Sequence, residues 1–335
     1  MRIIGSERML DIKNIMKEEN SFAEKLSLKR ALLFSSGRSS IYYLFSKLRQ
    51  GEILFPDLFC NEMLNPVLKT DTSIAFYTIK DTLKADVETV SISKKTKYIY
   101  INDYCGARDE KLFEFAKKKN LIPVIDRTHS LLSDFPFGRE IQLGSFRKIL
   151  PVPDGGFLLN FEKRERARAR DSSFYLMKLD AKILREIYEK HHNDPWYESE
   201  YVLLSEKAEK KIKINSKRIS LYSEKIIYSY DIKKAAERRR ENSEILLSFK
   251  EIKKRCPFKN PKLGVVLQSL PLIVDKRDTV KKLLAEKSVY APVLWRGESS
   301  LSMRIINIPL DEEYNAEDMV RTGKSVTEAL KGDSL

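Results

Sequence analysis

The stretch SFRKILPVPDGGFLL, residues 145–159, does most to decide the fold of this chain. It places Lys148 in a turn that reaches Gly155-Gly156 seven residues later and then continues as an apolar strand. A lysine that acts as a nucleophile must lose its proton, so its surroundings have to lower its pKa. One lysine carries little information in a chain with 62 Lys and Arg residues, so its neighbouring segments must distinguish it.

Short apolar runs alternate with helical patterns from residue 30 onward. Strands are predicted at residues 31–34, 53–56, 73–77, 98–101, 121–126 and 155–159, and helices at residues 41–48, around 63–64 and at 109–119. This alternation predicts an α/β fold with a mainly parallel sheet and crossover helices. Ligands of such sheets bind at the carboxyl ends of the strands, here the serine-rich turn after residue 34 and the stretch from Asp126.

The chain has 335 residues, more than a single hydrophobic core usually supports, so two domains are predicted. Residues 160–240 are helical and charged, and the pattern changes after about residue 245. We predict a large domain over residues 1–244 and a small α+β domain over residues 245–335. The first 29 residues are expected to pack on the small domain.

Two segments besides the lysine turn supply polar groups at predicted strand ends. Asp126 ends an apolar strand, where a carboxylate is costly to bury unless it is paired, and His129 follows three residues later. Residues 35–40, Ser-Ser-Gly-Arg-Ser-Ser, join a strand to a helix, so their amides and hydroxyls would face an anion at the positive helix end. Ser145 and Arg147 could bind the same anion. Each of these features also has an ordinary structural interpretation when it is taken singly. Asp126 could be a turn residue, His129 a partly buried histidine and residues 35–40 a helix N-cap.

Together these groups match what a protein supplies to pyridoxal 5'-phosphate (PLP). The cofactor requires a lysine, an acid that keeps its pyridine nitrogen protonated, donors for its phosphate and a group beside its ring. Lys148, Asp126, residues 36–39 and His129 are the respective candidates.

The order of these segments resembles the DegT/DnrJ/EryC1/StrS family of PLP-dependent sugar aminotransferases, which have the type I, aspartate-aminotransferase fold. The matching motifs are SGRSS at 36–40, Phe55-Pro56, DRTH at 126–129, Lys148 with Gly155-Gly156, RRREN at 238–242, APVLW at 291–295 and INIPL at 306–310. The similarity therefore extends from about residue 30 to residue 330.

The resemblance implies that Lys148 is the Schiff-base lysine, that Asp126 pairs with the pyridinium and that His129 lies beside the ring. It assigns the phosphate to Ser36, Gly37, Arg38 and Ser39, with Ser145 and Arg147 as further candidates. The ring-stacking aromatic is expected four residues after Pro56, where this chain has Cys60 with Phe59 beside it. Asn215 and Arg218 are the nearest equivalents of a segment that reaches the partner subunit's phosphate.

Several positions depart from the family pattern. Ser145 lies three residues before the lysine, the spacing of aspartate-aminotransferase-like enzymes, where the family has a serine five before it. Ile149 replaces the usual Asn after the lysine, and Pro153-Asp154 precede the glycine pair in place of Gly-Glu. These departures affect the prediction of the substrate and of the reaction more than the prediction of cofactor binding.

The activity implied by the resemblance is amination of a keto group on a nucleotide-linked sugar. An amino acid such as glutamate would donate the nitrogen, in surface-glycan or secondary-metabolite biosynthesis, and the enzyme would be a homodimer. One alternative is a PLP-dependent sugar dehydratase or lyase, but the family's dehydratases replace the lysine. Another is a catalytically idle scaffold or regulator, which the joint presence of Lys148, Asp126 and His129 disfavours.

The net charge of +14 allows two interpretations, a nucleic-acid surface or solvated lysine-rich helix faces. The lysines are scattered and interleaved with Glu, and no nucleic-acid-binding motif accompanies them, which favours solvated faces. A phosphorylated small-molecule substrate is compatible with the same charge. Arg296 and Arg304 are further candidate anchors for a carboxylate or phosphate.

The three cysteines lie far apart and in no CxxC spacing, which argues against a disulfide framework and a zinc site. The amino terminus has no apolar signal-like region, and no apolar run reaches the length of a membrane span. These features predict a cytoplasmic protein without a metal ion.

Overall fold

A computed structural model describes residues 2–10, 30–48, 51–136, 138–161, 168–170, 174–190, 194–295 and 299–333. The elements of the first half, in chain order, are β1 (Ile4–Gly5), β2 (Leu32–Phe34), α1 (Gly37–Lys47), β3 (Glu52–Pro56), α2 (Asn61–Leu68), β4 (Ser73–Tyr77), β5 (Thr96–Asn102), α3 (Glu110–Lys118), β6 (Ile122–Asp126), β7 (Ile141–Ser145) and β8 (Gly156–Leu159). Those of the second half are β9 (Arg168–Arg170), α4 (Tyr175–Lys190), α5 (Pro195–Lys211), β10 (Lys217–Arg218), α6 (Leu221–Ser229), α7 (Ile232–Leu247), α8 (Lys250–Arg255), β11 (Ser269–Ile273), α9 (Arg277–Ala285), β12 (Val289–Tyr290), β13 (Ile305–Pro309) and α10 (Ala316–Ala329).

Seven strands form the central sheet, in the order β2-β8-β7-β6-β5-β3-β4. All neighbouring pairs are parallel except those of β8, which runs antiparallel to both β2 and β7. The predicted α/β fold with a mainly parallel sheet is therefore confirmed. Strand β7 was missing from the prediction because Gln142 and Gly144 interrupt its apolar pattern, although Gln142 is buried.

The strand register brings the polar strand ends to one edge of the sheet. Asn102 at the end of β5 pairs with Asp126 at the end of β6, and Asp126 pairs with Leu143 in β7. Because β8 is antiparallel, its first residue, Gly156, pairs with Ser145, the last residue of β7. The sheet thus gathers residues that are far apart in sequence at the edge where ligands of parallel sheets bind.

The carboxyl-terminal elements have their own sheet and hydrophobic cluster. Strands β11 and β13 pair antiparallel, and helices α7 to α10 pack with them around Leu272, Ile306 and Met319, which are all fully buried. From the amino terminus, β1 pairs in parallel with β12, and the Gly5 amide donates to the Tyr314 hydroxyl at 2.8 Å. Within the described part of the chain, no helix has the length and apolar character needed to cross a bilayer.

Gly156 permits the closest approach between the lysine segment and the turn before α1. A Cβ at position 156 would lie 2.3 Å from the Ser36 carbonyl oxygen and 2.6 Å from the Gly37 amide nitrogen. Real Cβ atoms do not approach backbone atoms so closely, so any other residue here would push the turn away from β8.

We expect Gly156→Ala to lower the free energy of unfolding by about 3 kcal/mol, because the overlapping atoms belong to the backbone. Gly51→Ala is the matched control, since its new Cβ would meet only the flexible Lys97 side chain. Urea unfolding followed by circular dichroism measures both. Equal losses in the two variants would contradict this account of Gly156.

Candidate active site

Lys148 lies in a short 3-10 turn, Phe146–Lys148, that directly follows β7. The Phe146 amide donates to the Gly155 carbonyl at 3.1 Å, and the Phe146 carbonyl accepts from the Ile149 and Leu150 amides at 3.0 and 2.8 Å. Phe146, Ile149 and Leu150 are fully buried, so three apolar anchors hold the turn. The lysine itself is the exposed residue of the turn.

The Lys148 side chain lines a cavity of about 410 Å³ that α4, α5, β12 and the amino-terminal residues also border. Solvent reaches the side chain, but the surrounding protein limits the hydration of its ammonium. This desolvation lowers the pKa of Lys148, and the adjacent Arg147 guanidinium lowers it further. The cavity therefore favours a neutral, nucleophilic amine more than an ordinary surface site does.

Asp126 is buried at the end of β6, and both of its carboxylate oxygens accept hydrogen bonds. The Thr128 amide donates to Oδ1 at 2.8 Å, and the Tyr100 hydroxyl donates to Oδ2 at 2.6 Å. Burial raises the pKa of Asp126, and these two hydrogen bonds oppose that shift. A cation next to this carboxylate would be stabilised, since the nearby Asp103 charge also raises the pKa of Asp126.

His129 is also buried, with its ring 5.5 Å from the Trp295 ring. Its Nδ1 atom is buried and has no hydrogen-bond partner among the described residues. Burial lowers the pKa of His129 to about 3, and the Lys148 charge contributes in the same direction. The imidazole is therefore neutral at physiological pH.

The serine-rich turn forms the amino-terminal cap of α1. Ser36 Oγ accepts from the Ser39 amide at 3.1 Å, and the Ser36 and Ser39 hydroxyls lie 3.0 Å apart. A Cβ on Gly37 would lie 3.0 Å from the Ser145 Cβ, so the turn packs directly on the end of β7. Hydroxyls and first-turn amides of an 11-residue helix together form a suitable site for a phosphate.

Ser145 connects the three predicted segments. Its amide donates to Thr128 Oγ1 at 3.1 Å, which ties the lysine turn to the loop after Asp126. Its Cβ faces Gly37, and its hydroxyl donates to the Gly155 carbonyl at 3.4 Å. Ser145, which precedes the lysine turn, thus contacts both the loop after Asp126 and the serine-rich turn, so the three predicted segments are neighbours at the ends of their strands.

The arginines of the site are paired with carboxylates. Arg38 Nε lies 2.6 Å from Glu62, and its Nη2 lies 3.5 Å from Glu209. Arg147 forms a bidentate pair with Glu209, in which Nη2 and Oε2 are 3.2 Å apart. Sequence reasoning missed Glu209, because nothing distinguishes it from the other glutamates of a charged helical stretch.

The structure argues against a ring contact by Phe59. Its ring packs in the hydrophobic core, stacked on Phe76 at 5.6 Å and edge-on to Phe55 at 6.0 Å. Cys60, the N-cap residue of α2, is half-buried and close enough to Lys148 and Arg38 to influence both electrostatically.

The remaining candidates have local contacts. Asn215 Oδ1 accepts from the Lys217 amide at 2.9 Å, and Arg218 pairs with Glu224 at 2.8 Å. Arg304, which is partly buried, pairs with Asp81 at 2.9 Å and with Asp275 at 3.4 Å. Arg296 lies outside the described residues, as does most of the basic run 163–170.

The residues present fit PLP. The fit rests on the cavity lysine with a lowered pKa, the buried carboxylate of Asp126, the unpaired Nδ1 of His129 and the capped amino terminus of α1. Of these groups, only Lys148 lines the cavity of about 410 Å³, and none of them, among the described residues, lines a larger cavity of about 900 Å³ bordered by α4 and α7. The described residues contain no cluster of His, Cys, Asp and Glu suited to a metal ion.

Comparison with solved structures identifies the fold. The putative sugar aminotransferase Spr1654 from Streptococcus pneumoniae, in its PMP form, superimposes with a TM-score of 0.69 at 12% identity over 99% of each chain. The Helicobacter pylori aminotransferase PseC, involved in the biosynthesis of pseudoaminic acid, gives 0.66 at 17% identity, with 99% of this chain and 100% of PseC covered. Escherichia coli GDP-4-keto-6-deoxy-D-mannose-3-dehydratase, with bound hydrated PLP, gives 0.64 at 14% identity, with 97% of this chain and 100% of the dehydratase covered.

No family model and no curated protein sequence matches the chain. The similarity is thus one of structure, extending over nearly the whole length at low sequence identity. It establishes that this protein has the fold of these aminotransferases and dehydratases.

We expect the buried neutral His129 to make stability depend on pH. The unfolded histidine takes up a proton near pH 6.5, whereas the folded one does so only near pH 3, so stability is lost as the pH falls below 6.5. Between about pH 7.5 and pH 5, the wild type should lose about 2 kcal/mol more than His129→Asn. Urea unfolding at both pH values measures the difference, and parallel losses in the two proteins would refute a buried neutral His129.

Proposed function

We propose that this protein is a PLP-dependent aminotransferase that aminates a keto group on a nucleotide-linked sugar, using an amino acid such as glutamate as donor. The observation that carries the proposal is that the segments bearing Lys148, Asp126 and the amino terminus of α1 contact one another at one sheet edge, with His129 close enough to feel the Lys148 charge. The fold shared with the sugar aminotransferases supports it. We further propose that the enzyme is cytoplasmic and homodimeric.

PLP, when bound, supplies an electron sink for a carbanion of the substrate. Asp126 would hold the positive charge of the pyridine nitrogen, and its bonds from Thr128 and Tyr100 would keep the carboxylate oriented toward it. Ser36, Ser39 and the first amides of α1 would bind the phosphate.

Lys148 would have two roles. As a neutral amine it would attach the cofactor covalently, which desolvation in the cavity favours. Once freed by the amino donor, its Nζ would take the proton from the substrate carbon that bears nitrogen and later return a proton as general acid. The neutral His129 would pack beside the ring without adding a second positive charge to the site.

A PLP-dependent dehydratase is the second candidate, because a sugar dehydratase shares this fold with almost the same TM-score as the aminotransferases. The lysine distinguishes the two, since the resembling family's dehydratases replace it and this chain retains Lys148. A catalytically idle scaffold is the third candidate, and it would not require a lysine with a lowered pKa.

We expect the purified protein to develop visible absorption with PLP, because the neutral amine of Lys148 would hold the cofactor covalently. Borohydride should then fix the cofactor to Lys148, as peptide mass spectrometry would show. Lys148→Ala should lose both signals, whereas Lys111→Ala, on the exposed face of α3, should keep them. Absorption that persists in Lys148→Ala would exclude this lysine as the attachment site.

The same absorption band separates the candidate reactions. Bleaching by glutamate or another amino acid indicates transamination, and a band that responds to no amino acid indicates elimination. The absence of any absorption band in the wild type would favour the catalytically idle scaffold over both enzymes.

A further inference from the structure

Glu209 on α5 is a carboxylate shared by three cations. It binds Arg147 through both oxygens, Lys178 Nζ lies 3.2 Å from Oε1, and Arg38 Nη2 lies 3.5 Å from Oε2. Burial opposes its ionisation, but the charges of Arg147, Lys178 and Lys148 outweigh burial and hold the pKa of Glu209 well below its usual range. The carboxylate is therefore ionised wherever the protein is folded near neutral pH.

A second carboxylate, that of Glu7 near the amino terminus, binds one of the same cations. Lys178 also lies 2.7 Å from Glu7, which binds Lys182 at 2.8 Å. The Ser205 hydroxyl donates to the same Glu7 at 2.7 Å. The side chains of Lys178 and Lys182 are only 4% and 1% exposed, so their charges require these partners.

The position of Glu209 matters because Arg147 immediately precedes Lys148 in the same turn. The Arg147 side chain is only 12% exposed, and the contact with Glu209 holds its guanidinium in place. Glu209 and Lys148 line the same cavity. The arginine disfavours a positive charge on the lysine, and the carboxylate offsets that effect.

We propose that Glu209 is a positioning residue for Lys148: it binds the Arg147 guanidinium beside the lysine turn, and its negative charge offsets the charge of that arginine at the lysine amine. The inference rests on the proposed function, because it concerns the amine that would bind the cofactor. None of the site residues predicted from the sequence lies on α5, so the inference adds this helix to the elements that act on Lys148.

Other charged and titratable groups also face the lysine. They are Cys60 before α2, His129 after β6, Lys178 on α4, and the cavity-lining Glu7, Arg8, Lys281 and Asp311. His129 is neutral over the pH range that matters here. Glu209 differs from all of these because it alone binds Arg147 directly among the described contacts.

Glu209→Gln is the informative substitution, since it keeps the shape of the side chain and removes only its charge. Arg38 retains Glu62, and Lys178 retains Glu7, so only Arg147 loses its carboxylate. The double variant Arg147→Gln/Glu209→Gln removes both charges of the pair and leaves neither of them buried alone.

The test is the pH dependence of acetylation of Lys148 in the cofactor-free protein, using the N-hydroxysuccinimide ester of acetic acid and peptide mass spectrometry. We expect the midpoint of the curve of acetylation rate against pH to move down by about one pH unit in Glu209→Gln, because one negative charge is lost near the amine. Arg147→Gln should move it up, and the double variant should return it toward the wild-type value. Glu206→Gln, exposed on the same helix, should leave it unchanged.

A merely structural role would alter the accessibility of Lys148, and hence the maximal acetylation rate, without these opposite shifts of the midpoint. An unchanged or raised midpoint in Glu209→Gln would overturn the inference. If that variant does not fold, the upward shift in Arg147→Gln and its cancellation in the double variant decide the same question. Because acetylation needs no PLP, its outcome is independent of whether the absorption experiment supports the proposed function.

Discussion

The candidate site depends on the backbone contact between the turn before α1 and the first residues of β8. The Gly155 amide donates to the Ser35 carbonyl at 2.9 Å, and the Gly155 carbonyl accepts from the Phe146 amide at 3.1 Å. Gly156 leaves no room for a side chain against Ser36. One glycine pair therefore positions both the helix terminus that could bind phosphate and the turn that carries the lysine.

Electrostatic pairing is the second constraint on this region. Buried cations are unstable without partners, and the chain supplies carboxylates from distant elements, such as Glu7 and Glu209, for the cations around the cavity. A similar group joins the amino terminus to the carboxyl-terminal elements, where Arg8 and the fully buried Arg239 both contact Asp311 and Glu312. Part of the high basic content of the chain therefore serves internal ion pairs, although the net charge stays at +14.

The predicted elements and the structure agree where a local pattern was strong. Apolar runs such as residues 98–101 and 121–126 are strands, and the charged region after residue 170 contains the helices α4 and α5. Strand β7 was not predicted because its polar residue Gln142 breaks the apolar pattern. In the structure Gln142 is buried and accepts a hydrogen bond from Arg127, and local periodicity does not reveal such a contact. Phe59 was a reasonable stacking candidate by spacing, yet its ring joins the core with Phe55 and Phe76.

The sequence by itself determined the alternation of strands and helices and the polar residues at strand ends, because both follow from local periodicity and from the identity of single residues. It also singled out Lys148, Asp126 and His129 as a group, through their order along the chain. Only the tertiary structure decided which carboxylates surround the lysine. Glu209 is 62 residues from Arg147, and Glu7 is 171 residues from Lys178, so these pairs exist only because the packing of α4, α5 and the amino terminus brings them together.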